Sequence, residues 1–179
     1  MRFYVMVACS SNGGIGINGK LPWKISNDLR YFQQITTNTP KDKKNAIIMG
    51  RKTWESLPKK PLPHRINVII SSTVTGNDIS IDKDVLVCTS FENALTELKN
   101  FNVHKIFVIG GGQIYNIAID HPDCSYIYMT KIIYPDNIDF DTVFPLERVN
   151  SNFKKVATSE VIKEDIYKFI YEEYERNDI

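Results

Sequence analysis

The chain has 179 residues, 42% of them hydrophobic and 24% charged, enough for one globular domain that buries roughly two-thirds of its unfolded surface. A formal charge of +1 excludes the broad basic footprint of a nucleic-acid binder, so any anionic ligand must be met locally. Cys9, Cys88 and Cys124 are few, odd in number and widely spaced, and His64, His104 and His121 are equally scattered; this excludes a disulfide framework and a metal-ligand set, and a reducing, cytoplasmic setting is expected.

Taken in order, the chain opens on the apolar run Phe3 to Cys9. It is too short for a membrane span and lacks the charged lead and cleavage pattern of a signal peptide, so it predicts a buried strand. The glycine-rich loop Asn12 to Gly19 and the rigid Pro22-Trp23 follow. A helix is predicted from Ser26 or Asn27, with Ile25, Leu29, Phe32, Ile35 and Thr36 as its inward stripe and Arg30, Gln33 and Gln34 on the solvated face. Asp28 falls inside the apolar stripe. It is either a first-turn acid that caps the helix and complements its dipole, or a pocket carboxylate in need of a partner.

Further unalternating runs, Ala46 to Met49, Val68 to Ile70, Val85 to Val87 and Ile106 to Ile109, read as strands covered on both faces. Helical spacing separates several of them. Phe91, Ala94, Leu95 and Leu98 keep it behind Ser90 as N-cap, and Ile114, Ile117 and Ala118 keep it after a glycine triplet. Strand-helix alternation predicts an α/β fold with a largely parallel sheet and right-handed crossovers. In the tail, Tyr126 to Tyr134, Phe153 to Ile162 and Tyr167 to Tyr174 read as longer strands with no helix between them, hence antiparallel additions at one edge. Pro40 to Lys44 and Thr75 to Asp84 read as polar loops, and Pro58 to Arg65 as a stiff one. Nothing marks a repeat or a linker, so residues 1–179 read as a single domain.

Gly14, Gly16 and Gly19 spell G-x-G-x-x-G after a strand, but Pro22 and Trp23 intervene before any helix, and the dinucleotide fingerprint needs its glycines to open one. A loop that closes over a ligand is the better reading. Two strand ends look more like phosphate cradles: Gly50-Arg51-Lys52-Thr53, and Ile109 followed by Gly110, Gly111, Gly112, Gln113, Ile114 and Tyr115. In an open α/β sheet both would meet at the carboxyl edge, where a long phosphate-bearing cofactor could span them. Arg65, after the proline-rich loop, could clamp a carboxylate or simply face solvent. By spacing alone Thr130 is an ordinary strand threonine and Asp141 a turn acid.

Taken together, these residues resemble dihydrofolate reductase along essentially the whole chain. The match runs through Gly14-Ile15-Gly16, Leu21-Pro22-Trp23, Asp28, Phe32 and Thr36, then Gly50-Arg51-Lys52-Thr53-Trp54, Pro61-Leu62-Pro63 with Arg65, and Ile109 to Gly112 with Tyr115. It continues in Tyr128-Met129-Thr130, Asp141-Thr142 with Phe144-Pro145, and the tail Tyr174-Glu175-Arg176. The fold this implies is a mixed, mostly parallel eight-stranded sheet flanked by helices, with an antiparallel C-terminal strand. The implied reaction is NADPH-dependent reduction of dihydrofolate to tetrahydrofolate, by hydride transfer to C6 and protonation of N5, in support of one-carbon metabolism and thymidylate synthesis.

The resemblance implies roles as well. Asp28 and Thr130 would hold the pterin, with Leu21 and Trp23 completing the catalytic set. Val7, Ala8, Cys9 and Ile109 would line the pterin and nicotinamide pocket beside Tyr115. Leu29, Phe32, Leu57 and Leu62 would hold the benzoyl portion, and Arg65 the glutamate carboxylate. On the cofactor side stand Ala8, Ile15, Gly16, Gly19, Gly50, Arg51, Lys52, Thr53, Ser71, Ser72 and Gly110 to Tyr115, with a cis Gly110-Gly111 peptide. The loop Ile15 to Leu21 would close over the site, supported from Asp141. Many relatives carry further basic residues around the 2′-phosphate; here Ser72, Thr89 and Gln113 leave the charge to Arg51, with Lys52. Expected partners are dihydrofolate and antifolate inhibitors, with no nucleic acid, membrane or metal, for a cytoplasmic monomer. Some relatives are fused to thymidylate synthase; no synthase sequence accompanies this chain, whose tail reads as complete for a reductase. The rival readings are a folate- or dinucleotide-binding module without turnover and the related reductase of riboflavin biosynthesis.

Overall fold

The computed structural model describes residues 1–73, 82–133 and 138–177. In chain order the elements are β1 (Phe3–Ser10), β2 (Gly14–Gly16), α1 (Ser26–Thr37), β3 (Lys44–Gly50), α2 (Arg51–Ser56), β4 (Arg65–Ile70), β5 (Val85–Cys88), α3 (Phe91–Glu97), β6 (Val103–Val108), α4 (Gly112–Asp120), β7 (Cys124–Ile133), β8 (Thr142–Val143), α5 (Leu146–Asn152), β9 (Phe153–Thr158), β10 (Ile162–Glu164) and β11 (Tyr167–Arg176). The predicted strand end at Tyr134 and most of the Thr75 to Asp84 loop lie outside the described residues.

The main sheet runs β10-β11-β7-β1-β6-β3-β4-β5, with β9 on the same side of β11 as β10. Nine strands therefore occupy eight positions, because two short ones share the outer edge. Register explains the unalternating runs. Phe3, Val5, Val7 and Cys9 enter one core with Ala46, Ile48, Ile106 and Val108, while Tyr4, Ile47, Met49 and Phe107 face the other side. Both faces are buried, so every strand position favours an apolar side chain.

The crossovers are consistent with one hand. From β1 to β3 and from β3 to β4 the chain moves one way across the sheet, carrying α1 and α2 on the Ile47 face; from β5 to β6 and from β6 to β7 it returns, carrying α3 and α4 on the opposite face. A connection that reverses direction must change face to keep its handedness. The Ser90 hydroxyl caps α3 by accepting from the Asn93 amide at 3.0 Å, as its sequence predicts.

The tail departs from the sequence reading in three respects. β7 is parallel to β1 over its whole length, and only β11, β9 and β10 are antiparallel additions. α5 lies between β7 and β9, and the segment predicted as one strand from Phe153 to Ile162 is two. The reason for the first is α4, a crossover helix that returns the chain to the starting edge before β7 begins. β2 and β8 pair with each other in a small second sheet that the sequence did not signal.

Candidate active site

Parallel β1, β6 and β3 are neighbours, so their carboxyl ends open on one edge. Two of the glycine segments are joined there: the Gly50 amide donates to the Gly110 carbonyl at 2.8 Å, and the Ile109 amide to the Ile48 carbonyl at 2.9 Å. The Gly110–Gly111 peptide is cis. Gly110 has φ +117, and a Cβ there would stand 3.0 Å from the Tyr115 ring, so both backbone angle and space call for glycine. Tyr115 itself is buried, its hydroxyl donating to the Met6 carbonyl at 2.8 Å. Its structural contribution is to fix the glycine turn against β1. Thr53, on α2, reaches the same place, with its hydroxyl 3.3 Å from where a Gly111 Cβ would be.

Among the described residues no side chain caps α4 at Gly111 or α2 at Gly50, so no side-chain acceptor there serves the helix start. Arg51 and Lys52 stand beside them, Arg51 in an exposed ion pair with Glu55 at 3.6 Å. Gln113 and Ser72 are exposed; Ser71 and Ile114 are buried. This arrangement of free amides, close-approach glycines and adjacent cations suits a pyrophosphate.

The loop after β1 is tied to the segment before α5. Gly14 pairs with Val143 and Gly16 with Thr142, the Asp141 amide donates to the Gly16 carbonyl at 3.1 Å, and the Asn18 amide donates to the Asp141 carboxylate at 2.6 Å. A Cβ on Gly14 would lie 2.1 Å from the Phe140 ring, which is why that position is glycine. Gly16 therefore belongs to a strand, in keeping with the rejection of a dinucleotide fingerprint. Ile15 is buried in the main core and Gly19 has φ +74 with open space around it.

On the other face, Asp28 meets Thr130 of β7, whose hydroxyl donates to the carboxylate at 2.6 Å. Burial is the main cause that pushes the Asp28 carboxyl above its ordinary value; the Thr130 hydrogen bond opposes this and the charge of Glu164 adds to it. Asp28 does lie in the first turn of α1, where it complements the helix dipole, but among the described residues no side-chain hydrogen bond is made at the N-cap, Ile25. The amides of Ser26 and Asn27 are served by Glu164 of β10, at 2.5 and 2.9 Å, leaving the Asp28 carboxylate to accept from Thr130. Trp23 is 6% exposed, packs against Phe140, and buries an indole N–H with no hydrogen-bond partner among the described residues. An orphaned donor of this kind fits a site built to bind something polar.

Arg65 is the first residue of β4 and only 3% exposed. Nε donates to the Pro63 carbonyl at 2.9 Å, Nη1 to the Thr36 hydroxyl at 2.9 Å, and the guanidinium lies 5.8 Å from the Phe32 ring centre. Burial lowers its pKa, and among the described residues no carboxylate pairs with it. The solvent reading of Arg65 is thus wrong. Leu57, Leu62 and Ile109 are half-buried between these groups, and Val7, Ala8 and Cys9 lie at the β1 end. The buried Cys9 thiol is pushed up to about 12, chiefly by desolvation, so it is an inert member of the main core.

Two apolar side chains of the predicted site are exposed: Leu29 at 55% and Leu21 at 59%. Leu29 follows Asp28 by about 100° of helical rotation, which carries it off the sheet-facing stripe to the rim. The inward stripe is Ile25, Asp28, Phe32, Ile35 and Thr36. The sequence reading missed Glu164, Phe140, and the pair Tyr31 and Tyr171, stacked at 4.0 Å beside Asp28. None carries a local signal, because each gains its role from a distant segment.

Comparison with known proteins agrees with this geometry. A sequence profile described as dihydrofolate reductase matches residues 2–176. The chain is 38% identical over 186 residues to the dihydrofolate reductase of Drosophila melanogaster, with 99% of each chain covered. It is 40% identical over 164 residues to that of Candida albicans, covering 86% of this chain and 83% of the other. Against the bifunctional dihydrofolate reductase-thymidylate synthase 2 of Arabidopsis thaliana it is 43% identical over 150 residues, 80% of this chain but only 26% of that protein. The chain thus spans about a quarter of the bifunctional plant relatives and nearly all of the fly one. Profile, full-length relatives and the joined glycine turns agree: this chain belongs to the dihydrofolate reductase family.

Proposed function

We propose that the chain catalyses the NADPH-dependent reduction of 7,8-dihydrofolate to 5,6,7,8-tetrahydrofolate. The observation that carries this is the layout of helix α1. An acid that accepts from Thr130 sits at one end, and at the other Thr36 holds a buried arginine without a carboxylate partner among the described residues. Thr36 lies eight positions after Asp28, about 12 Å along a helix. A ligand with amine donors at one end, a flat apolar middle and a carboxylate at the other satisfies both the half-buried carboxylate and the buried guanidinium, which would otherwise cost stability. Dihydrofolate has this form.

In this reading Asp28 takes the pterin 2-amino and N3 groups, and Thr130 holds the carboxylate in place. Phe32, Leu57 and Leu62, with Leu29 at the rim, enclose the benzoyl portion, and Arg65 takes the α-carboxylate. The negative field of Asp28 raises the proton affinity of the bound pterin, and water delivers the proton to N5. Gly50 to Thr53 and Gly110 to Ile114 would hold the cofactor pyrophosphate, with Arg51 near the 2′-phosphate and Ser71 and Ser72 beside it. NADPH, when bound, supplies the hydride. The loop around Ile15 to Leu21, braced by Asp141, and the wall of Ala8, Ile109 and Trp23 exclude water from the reacting face.

We read residues 1–179 as one reductase domain acting as a cytoplasmic monomer open to antifolates that mimic the pterin. All three cysteines are buried and free, as a reducing compartment allows, and no helix among the described residues is long and apolar enough to cross a membrane. The direct test is the loss of reduced-nicotinamide absorbance on adding dihydrofolate to the purified chain with NADPH. Binding of both ligands without turnover would instead support the binding-module reading.

A further inference from the structure

Glu164 ends β10 opposite Tyr167 of β11, at a tight turn in which Asp165 takes φ 53. Its carboxylate reaches a helix far back in the chain, accepting from the Ser26 amide at 2.5 Å and the Asn27 amide at 2.9 Å. Those amides are among the ones a helix start leaves unpaired, and the N-cap residue of α1, Ile25, has no side chain to serve them. The residue that follows is Asp28. The Asn27 carbonyl also accepts from the Tyr171 hydroxyl at 3.3 Å, and Tyr171 stacks on Tyr31. The β10–β11 hairpin thus grips the turn that carries Asp28 through Glu164 and Tyr171.

We propose that Glu164 is a positioning residue for the Asp28 site: it seats the first turn of α1 on the β10–β11 hairpin so that Asp28 meets Thr130, and it holds a second negative charge next to that turn. This deepens the reductase reading and rests on it. The groups around Asp28 are the Thr130 hydroxyl of β7, the phenols of Tyr31 in α1, Tyr171 in β11 and Tyr115 in α4, and Glu164 of β10. Among the described residues no lysine, arginine or histidine pairs with Asp28. Glu164 is the one full charge in this set, held on the two amides that precede Asp28, and its repulsion keeps the Asp28 carboxyl protonated to higher pH than burial alone would. With a pterin bound, the same negative charge adds to that of ionised Asp28 and raises the proton affinity of the pterin itself, so the pH range over which the site favours a protonated pterin is widened.

The experiment uses Glu164→Gln, which removes the charge but keeps one acceptor, and Glu164→Asp, which keeps the charge on a shorter arm. Three quantities are read: the Asp28 carboxyl titration by carbon-13 NMR, hydrogen exchange of the Ser26 and Asn27 amides, and the pH profile of pre-steady-state hydride transfer. In Glu164→Gln the Asp28 midpoint moves down, by less at about 0.5 M salt, where charges are screened within a few ångströms. The two amides exchange on the order of tenfold faster, as loss of a charge-assisted hydrogen bond implies. Hydride transfer then falls off at lower pH. Glu164→Asp retains most of the wild-type midpoint. An unchanged midpoint and profile overturn the proposal; faster amide exchange alone reduces Glu164 to a helix cap, which also overturns it. Failure of the reductase reading is distinct, since the wild type would then not turn over dihydrofolate while the titration and the exchange rates still decide the role of Glu164.

Discussion

Arg65 donates from Nη1 to the Thr36 hydroxyl at 2.9 Å, and Thr36 donates in turn to the Phe32 carbonyl at 2.7 Å, so the guanidinium is fixed to the helix that carries Asp28. Two of its donors are committed to protein, and a guanidinium has further N–H groups in the same plane for a bidentate carboxylate. Arg65→Leu is expected to raise KM for dihydrofolate by roughly tenfold to a hundredfold, the worth of a lost charged hydrogen bond. For a pterin lacking the glutamate, KM should hardly move. Equal losses on both substrates would make Arg65 a structural residue only.

Asp28→Asn should fold normally, bind NADPH, and lose several orders of magnitude in hydride transfer at neutral pH. Lowering the pH should restore part of the rate, because substrate protonated in solution replaces what the carboxylate supplied. The comparison is a pre-steady-state hydride-transfer profile of both proteins. A wild-type profile in the mutant would remove Asp28 from the mechanism.

The same substitution has a stability signature of fixed sign. Burial raises the Asp28 carboxyl above its ordinary 3.8, so the unfolded chain releases this proton at lower pH than the folded one. The cost to folding is absent below 3.8, grows as pH rises through the raised folded value, and is complete above it. Urea unfolding at neutral pH should find Asp28→Asn at least as stable as wild type, with the advantage vanishing in acid. An advantage that grows in acid would contradict the assignment.

Glu172 shows the opposite sign. It is 2% exposed on β11 and accepts from Lys155 at 2.6 Å and from the Tyr174 hydroxyl at 2.7 Å, with Lys131 at 3.3 Å. Burial alone would raise its carboxyl, but the Lys155 and Tyr174 hydrogen bonds and the Lys131 charge outweigh it and leave the group below its ordinary 4.5. Its contribution is present above 4.5 and lost as pH falls through the lower folded value. Glu172→Gln should cost about 1.5 to 3 kcal/mol at neutral pH and flatten the acid limb of stability. Denaturant midpoints measured from neutral to acid pH check this.

Arg51→Ala should weaken NADPH binding by on the order of tenfold to a hundredfold and NADH binding much less. Fluorescence titration with each cofactor separates the two. Equal weakening would remove Arg51 from the 2′-phosphate.

Much of this protein was legible in its sequence, and for a local reason. Strands buried on both faces read as unbroken apolar runs, helices as spaced ones, and the strand-end glycines as turns, because each depends on near neighbours. Asp28 was conspicuous on the same grounds, as a carboxylate inside the stripe of α1. The family motifs placed Arg65 and Thr130, but spacing left one facing solvent and the other ordinary. Tertiary structure decided the rest. Periodicity reports which face a side chain takes, never which strand lies opposite, so the parallel pairing of β7 with β1 and the joining of β2 to β8 had no local mark. Leu29 is exposed because helical rotation carries it off the stripe that meets the sheet, and Arg65 is inside because Thr36 and Pro63 arrive to receive it. Glu164 serves amides more than a hundred residues away. A hydrogen bond closed across that distance is settled by the packing of the hairpin on the helix, a relation that exists only once the chain has folded.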